Sequence, residues 1–86
     1  MYQLLLTNSA RKDLNRLRGA TWERVRDALM DLPDDPRPKG CKQLRGGMDI
    51  YRIRIGDYRA VYAIDRPSQT ATLLRVRHRR EVYRGL

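Results

Sequence analysis

The hydrophobic period changes near residue 50, and this change restricts the fold more than any other feature of the sequence. Apolar side chains alternate with arginines over residues 51–55, and a second alternating run covers residues 58–64. A period of two is typical of a strand that is buried on one face. Gly56 and Asp57, which separate the two runs, favour a two-residue turn. The pattern therefore predicts a β-hairpin.

A two-residue turn also determines which residues lie opposite each other in the hairpin. Ile55 is expected opposite Tyr58, and Arg54 opposite Arg59. One face would be apolar, with Tyr51, Ile53, Ile55, Tyr58, Ala60 and Tyr62. The other face would carry Arg52, Arg54 and Arg59. Because like charges directly opposite each other destabilise a sheet, these arginines indicate either a bound anion such as phosphate or a well-solvated surface.

The N-terminal part of the chain predicts a strand followed by a helix. Residues 2–6 are mostly apolar, which predicts a strand with two buried faces or a buried edge. Residues 7–9 are all suitable helix N-caps. A stripe of Ala10, Leu14 and Leu17 predicts the first helix, and Gly19 is expected to end it.

A second helix is expected after Thr21, its predicted N-cap, and before Pro33. Its apolar stripe consists of Trp22, Val25, Leu29 and Leu32. Trp22 is expected to lie in the core. Residues 34–40 predict a loop, and residues 70–76 predict the third strand of a C-terminal meander. The order is then β-α-α-β-β-β, an α+β fold with a helical hairpin on one face of an antiparallel sheet.

Length and charge limit the class of protein. The 86 residues predict a single domain, residues 1–86. The net charge is +9, and residues 41–86 contribute +7 of it, from 11 basic and 4 acidic groups. This charge favours nucleic acid, an anionic membrane or an acidic protein as partner. A single cysteine, Cys41, allows no internal disulfide, and no apolar run could span a bilayer, so we expect a soluble cytoplasmic protein.

Three motifs lie in the second half of the chain. They read KQLRGG at residues 42–47, YRIRIGDYRAVY at residues 51–62 and VRHRREVYR at residues 76–84. Together they resemble the RelE/ParE superfamily of type II toxin–antitoxin systems, in particular its RelE branch. The resemblance implies a toxin that enters the ribosomal A site and cleaves messenger RNA there, without a metal ion or other cofactor. The ribose 2′-OH would attack the adjacent phosphate and leave a 2′,3′-cyclic phosphate.

The resemblance also implies roles for individual residues. The family's site residues correspond to Arg52, Arg54, Arg59, Arg79 and Tyr83, and many relatives also have a histidine where this chain has His78. Well-studied members have lysines at positions 52 and 54, whereas arginine stays protonated and is a poor general base. We therefore expect the four arginines to bind phosphate and stabilise the transition state, and Tyr83 or His78 to transfer protons. Further contacts with nucleic acid are expected from Lys42, Arg45, Arg77, Arg80 and Arg84.

Two other functions compete with this hypothesis. One is a ParE-like toxin that inhibits DNA gyrase without being an enzyme, and the other is a non-catalytic RNA-binding relative. The set of arginine, histidine and tyrosine favours the nuclease, because a gyrase inhibitor does not need it. The expected partners are the ribosome, messenger RNA and an acidic antitoxin from a neighbouring gene, which would form a hetero-oligomer with the toxin. No membrane partner is expected.

Overall fold

The structure is a computed structural model that describes residues 1–44 and 49–84. The described elements are β1 (Gln3–Leu6), α1 (Asn8–Asn15), α2 (Gly19–Asp31), β2 (Lys42–Gln43), β3 (Ile50–Ile55), β4 (Tyr58–Asp65) and β5 (Thr70–His78). The strands form one sheet in the order β1-β5-β4-β3-β2. This arrangement confirms the predicted α+β class. The sheet is mixed rather than wholly antiparallel, because β1 pairs in parallel with β5.

The hairpin of β3 and β4 has the predicted register. Ile55 pairs with Tyr58, Arg54 with Arg59, and the ladder continues to Tyr51 opposite Tyr62. Gly56 has φ 61°, a left-handed conformation that glycine adopts without the steric cost of a Cβ. The turn chemistry and the alternation of side chains therefore agree, and together they determine which face each residue of β3 and β4 occupies.

Both helices lie on the apolar face of the sheet. α1 packs mainly against β5, and α2 packs against β3. The predicted N-cap of α1 is confirmed at Thr7, whose hydroxyl accepts a hydrogen bond from the backbone N–H of Ala10 at 3.0 Å. Side chains of the helical region and of three strands form one core, which includes Ala10, Val25, Leu29, Leu32, Ile53, Ala60, Tyr62, Leu73 and Val76. Neither described helix is long and apolar enough to cross a membrane.

Two predictions for the second helix are wrong. α2 begins at Gly19, so Thr21 lies inside the helix and does not cap it. Trp22 is 36% exposed and lines a surface cleft with Leu14 and Leu17. Trp22 belongs to the first turn of α2, beside the end of α1, whereas the core is reached by Val25 one turn later.

The remaining differences concern the two edges of the sheet. β1 is an edge strand whose Leu5 and Leu6 are 40% and 37% exposed, so the prediction of burial on both faces or at a buried edge is wrong. At the other edge, the two-residue strand β2 was not predicted. A register shift between Val61 and Tyr62, in the pairing of β4 with β5, was not predicted either.

Candidate nucleic-acid interface

By register, arginines from three adjacent strands fall on the sheet face that points away from the helices, but the Arg77 guanidinium turns back to Asp13 and Ser9 of α1. Arg54 of β3 lies opposite Arg59 of β4, which in turn lies opposite Arg77 of β5. In the next row, Arg52 lies opposite Val61, and Val61 lies opposite Arg75. We call this surface the arginine face and define it by Arg52, Arg54, Arg59, Arg75 and Arg77.

The contribution of β5 to the arginine face depends on a β-bulge. Tyr62 pairs with Leu73, and the next residue back along β4, Val61, pairs with Arg75, so Leu74 has no partner in the ladder. With regular pairing, Leu73 and Arg75 would lie on the same face; the bulge moves Arg75 to the face opposite the core. Arg75 was not among the predicted site residues, because no local sequence pattern marks an unpaired residue within a strand.

Arg59 and Arg77 of the arginine face are held by protein groups. Arg59 donates from Nη1 to the carbonyl oxygens of Gly56 and Tyr58, each at 2.9 Å. Arg77 donates from Nε to Asp13 Oδ2 at 3.2 Å, an ion pair with a buried carboxylate. These contacts fix two guanidinium groups and use part of their hydrogen-bonding capacity.

Arg75 joins the arginine face to the C-terminal segment. Its Nη1 donates to the carbonyl oxygens of Val82 and Arg84, at 2.9 and 2.7 Å. Val82 and Val61 are both fully buried, yet neither belongs to the core between the sheet and the helices. Residues 79–84, which we call the C-terminal segment, therefore lie over part of the arginine face.

The side chains of Arg52 and Arg54 are the unpartnered members of the arginine face. Within residues 1–44 and 49–84, neither guanidinium forms an ion pair or a side-chain hydrogen bond. Arg54 is exposed, whereas Arg52 is only 8% exposed and lies directly opposite Lys42 of β2. Because neither guanidinium is paired with a carboxylate in the described residues, an anion bound here would gain charge-assisted hydrogen bonds and reduce a like-charge repulsion.

The C-terminal segment brings Arg79 to the same end of the sheet as Arg59. The backbone N–H of Arg79 donates to the carbonyl oxygen of Asp57 at 2.8 Å, within the turn that also binds the Arg59 side chain. Tyr83, in the same segment, is 46% exposed. Five of the six predicted catalytic residues therefore belong to the arginine face or to the segment that covers part of it. They are Arg52, Arg54, Arg59, Arg79 and Tyr83.

His78 lies on the opposite face of the sheet. It pairs with Tyr58, which faces the helices, and the two rings meet edge to face with centroids 5.8 Å apart. Its Nδ1 accepts a hydrogen bond from the backbone N–H of Arg80 at 3.2 Å, so a neutral His78 carries its proton on Nε2. His78 lines a cleft of about 360 Å³ together with Asp13, among other residues. The structure does not bring His78 together with the arginine face.

The other predicted nucleic-acid contacts are dispersed. Lys42 is exposed in β2, and Arg80 and Arg84 are exposed in the C-terminal segment. Arg77 is engaged with Asp13, and its Nη2 also donates to Ser9 Oγ at 3.2 Å. Arg45 lies outside the described residues. In the described part of the chain, no group of three or more His, Cys, Asp or Glu residues could hold a metal ion.

Comparisons with known proteins were consistent in family and fold. Residues 4–83 match the family described as the ParE toxin of the type II toxin–antitoxin system, parDE. Toxin RelG of Mycobacterium tuberculosis is 34% identical over 84 residues, which cover 96% of this chain and 97% of that protein. The archaeal RelE–RelB complex from Pyrococcus horikoshii matches with a TM-score of 0.81 at 26% identity, over 93% of this chain and 97% of that one. The isolated E. coli RelE toxin matches with a TM-score of 0.80 at 26% identity, over 91% of this chain and 84% of that one.

Proposed function

Because the chain belongs to the RelE/ParE superfamily and is a toxin of a type II toxin–antitoxin system, we propose that it inhibits translation by cleaving ribosome-bound messenger RNA. The observation that carries the proposal is the pair Arg52 and Arg54, whose side chains have no partner in the described part of the chain and lie beside Arg59. These three guanidinium groups form a site for a phosphodiester. The similarity to RelE toxins along nearly the whole chain supports the same activity.

The proposed reaction is an internal transesterification. The O2′–P bond forms, the P–O5′ bond breaks, and the products end in a 2′,3′-cyclic phosphate and a 5′-hydroxyl. One proton must leave O2′ and one must reach O5′, while negative charge accumulates on the phosphate oxygens. In our proposal Arg52, Arg54, Arg59 and Arg79 bind the phosphate and stabilise that charge. No metal ion or other cofactor is included in this scheme.

Proton transfer is assigned to Tyr83 rather than to His78. Tyr83 belongs to the C-terminal segment, which Arg75 ties to the arginine face, and its side chain is partly exposed. His78 lies on the helix side of the sheet and contacts Tyr58. A general acid or base must come within hydrogen-bonding distance of the atom to or from which it transfers a proton. His78, on the other face of the sheet, is too far from a phosphate bound on the arginine face. The arginines cannot serve as the base, because they stay protonated.

An acidic antitoxin is the proposed protein partner, and the ribosome and messenger RNA are the proposed targets. A RelE homologue has been solved in complex with RelB, which supports an antitoxin partner for this chain. Carboxylates of such a partner would offset the unpaired charge of Arg52 and Arg54 and would compete with RNA for the same face. The toxin and antitoxin would then form an inactive hetero-oligomer.

The test is induced expression of the chain with mapping of cleavage ends on ribosome-bound messages. The triple variant Arg59→Ala, Arg79→Ala, Tyr83→Phe should lose toxicity, and its cleavage rate should fall by at least ~10² because electrostatic stabilisation of the transition state is removed. Arg26→Ala is the matched control, since Arg26 is an exposed arginine of α2 that pairs with Asp27. It should remain fully toxic.

Two results would contradict the proposal. If the folded triple variant still arrests growth and cuts messages, the arginine face and Tyr83 are not the nuclease site. If wild-type expression produces gyrase-linked DNA breaks while the messages stay intact, the chain acts as a gyrase inhibitor. Circular dichroism of the purified variants separates loss of activity from loss of the fold.

A further inference from the structure

Arg75 binds the C-terminal segment through its guanidinium group. The side chain reaches the outer face of the sheet because the ladder between β4 and β5 passes over Leu74, the residue before it. β-bulges are frequent beside active sites, where they change the direction in which a side chain points. Arg75 itself is partly buried, and the acceptors of its hydrogen bonds both belong to the C-terminal segment. The bulge therefore serves the attachment of that segment.

The two acceptors of Arg75 lie on either side of Tyr83 in the chain. Nη1 donates to the carbonyl oxygen of Val82 at 2.9 Å and to that of Arg84 at 2.7 Å. This nitrogen carries two hydrogens, so each carbonyl can receive one of them. The Val82 carbonyl is part of the planar peptide unit that leads into Tyr83, and holding it restricts the orientation of the Tyr83 backbone.

Packing fixes the same stretch from a second side. Val82 is fully buried, and so is Val61, which lies opposite Arg75 in the ladder. The backbone N–H of Val82 also donates to the carbonyl oxygen of His78 at 3.0 Å. Tyr83, by contrast, is 46% exposed. Its neighbours in the chain are thus held while its side chain stays accessible, which suits a group that must meet a bound ligand at a fixed position.

We propose that Arg75 is a positioning residue, which holds Tyr83 beside the phosphate site and does not bind the phosphate itself. The inference rests on the proposed function for the role of Tyr83 in proton transfer. Both hydrogens of Arg75 Nη1 are used by carbonyl oxygens, and the C-terminal segment lies over this part of the arginine face. A displacement of about 1 Å can lower a rate by roughly 10². Loss of Arg75 should therefore slow cleavage and leave the binding of RNA unchanged.

The first test is a double-mutant cycle on single-turnover cleavage of messenger RNA, with ribosomes saturated by the full chain. Arg75→Met alone should lower the cleavage rate by roughly 10². In the Tyr83→Phe background the same change should have almost no further effect, because no hydroxyl is left to position. Arg26→Met, at an exposed arginine that pairs with Asp27, is the control and should cleave like wild type in both backgrounds.

The second test separates positioning from phosphate binding without requiring cleavage. It measures the affinity of a fluorescent 2′-O-methyl RNA hexanucleotide, which lacks the attacking hydroxyl, at several salt concentrations. Arg54→Met is the contrasting variant, since it makes the same substitution on the same face at a residue proposed to bind phosphate. Its slope of log affinity against log salt should be shallower by about 0.7. Arg75→Met should keep the wild-type slope.

Amide exchange reports the attachment directly. In Arg75→Met the amides of Tyr83 and Arg84 should exchange faster than in wild type, while the amide of Val25 in the main core should be unaffected. A faster exchange at Val25 as well would show that Arg75 supports the whole fold, and Arg75 would then have no specific role in positioning.

Three further results would overturn the proposal. A slope that falls in Arg75→Met as it does in Arg54→Met would make Arg75 a phosphate ligand. Equal losses of rate from Arg75→Met with and without the Tyr83 hydroxyl would show that Arg75 does not act through Tyr83. Wild-type exchange at Tyr83 in Arg75→Met would show that the two hydrogen bonds do not hold the segment.

Failure of the proposed function gives a different pattern. A wild-type chain that leaves messages intact, together with faster exchange at Tyr83 in Arg75→Met and an unchanged salt slope, would sink the nuclease. The attachment of Tyr83 by Arg75 would still stand.

Discussion

Among single residues, Asp13 has the most consequential position. It is buried on α1 and accepts hydrogen bonds from the backbone N–H of Val76 at 3.1 Å and from Arg77 Nε at 3.2 Å. The pairing of β1 with β5 ends at Leu73, and beyond it the carboxylate supplies the acceptor that the backbone N–H of Val76 would otherwise find in a neighbouring strand. One side chain therefore joins α1 to the strand that leads into the C-terminal segment.

We expect Asp13→Ala to lower the free energy of unfolding by about 2 to 3 kcal/mol, since it leaves a buried N–H and a guanidinium without their acceptor. Asp13→Asn retains one acceptor oxygen and should cost about half as much. Urea denaturation of the two variants measures the difference. Equal and small losses, below about 0.5 kcal/mol, would mean that water replaces the carboxylate.

The titration of Asp49 shows whether its ion pair with Arg66 forms in solution. Its carboxylate accepts hydrogen bonds from the guanidinium of Arg66 at 3.1 and 3.4 Å, and these bonds together with the adjacent charge lower the pKa of Asp49. A lowered pKa in the folded state means that the pair stabilises the fold above the ordinary carboxylate range and stops doing so as pH falls through the folded value.

The expected outcome is a ¹³C titration of Asp49 with a pKa below 3.8 in the wild-type chain and closer to 3.8 in Arg66→Ala. Arg26→Ala, which removes an exposed arginine elsewhere, should leave the Asp49 titration unchanged. A wild-type value at or above 3.8 would show that the ion pair does not persist in solution.

At the scale of elements, the C-terminal segment lies outside both the strands of the sheet and the core between the sheet and the helices. It is attached through the Arg79 N–H on Asp57, through two carbonyl oxygens on Arg75, and through the burial of Val82. It carries Tyr83 and Arg79, so its attachment should control activity more than it controls the stability of the core.

Val82→Ala tests whether the attachment of the C-terminal segment affects activity more than it affects the stability of the core. The loss of two buried methyl groups should lower the free energy that holds the segment on the sheet by about 1.6 kcal/mol. We therefore expect faster amide exchange at Arg79 and Val82 and weaker toxicity. The global unfolding transition should change little. Val25→Ala is the control, since Val25 is equally buried but lies in the main core and should lower the global transition. Equal global losses in both variants would show that the segment unfolds together with the core.

How much of these elements the sequence predicts depends on whether their determinants are local. The register of β3 and β4 follows from one two-residue turn and strict alternation, so it was predicted to the residue. The parallel pairing of β1, the short strand β2 and the bulge at Leu74 depend on contacts between distant segments, which no local pattern encodes. Trp22 was misplaced for a related reason, because helical periodicity gives the apolar stripe but not the point where the core ends.

The same distinction applies to the site. Arg52, Arg54 and Arg59 were assigned to one face from alternation alone, and the structure places them there. His78 was grouped with them because it is close in sequence to Arg77 and Arg79, but adjacent residues of a strand point to opposite faces.

For the whole molecule, the dominant property is the net charge of +9, concentrated in the second half of the chain. Three acidic groups are committed to ion pairs with arginines in the described residues, namely Asp13, Asp27 and Asp49. Most of the excess charge is therefore available to a polyanion, and association should be governed by counterion release.

We predict that the affinity for a short single-stranded RNA falls about 50-fold between 50 and 200 mM salt, if the four arginines of the proposed site each contact one phosphate. Titrations by fluorescence anisotropy at four salt concentrations give the slope, which should be close to −2.8. Arg52→Met with Arg54→Met should halve it. A slope near zero in the wild-type chain would exclude an electrostatic RNA site.

The bulge in β5 has a consequence for how related chains should be compared. Leu74 is the one residue of β5 that the ladder with β4 passes over, so the strand is one residue longer than its partner requires. A homologue without this residue would still place Leu73 in the core and Arg75 on the outer face, because side chains would then alternate regularly. Insertions and deletions of a single residue should therefore collect at position 74, and an alignment gap placed elsewhere in the strand would exchange arginines for core residues.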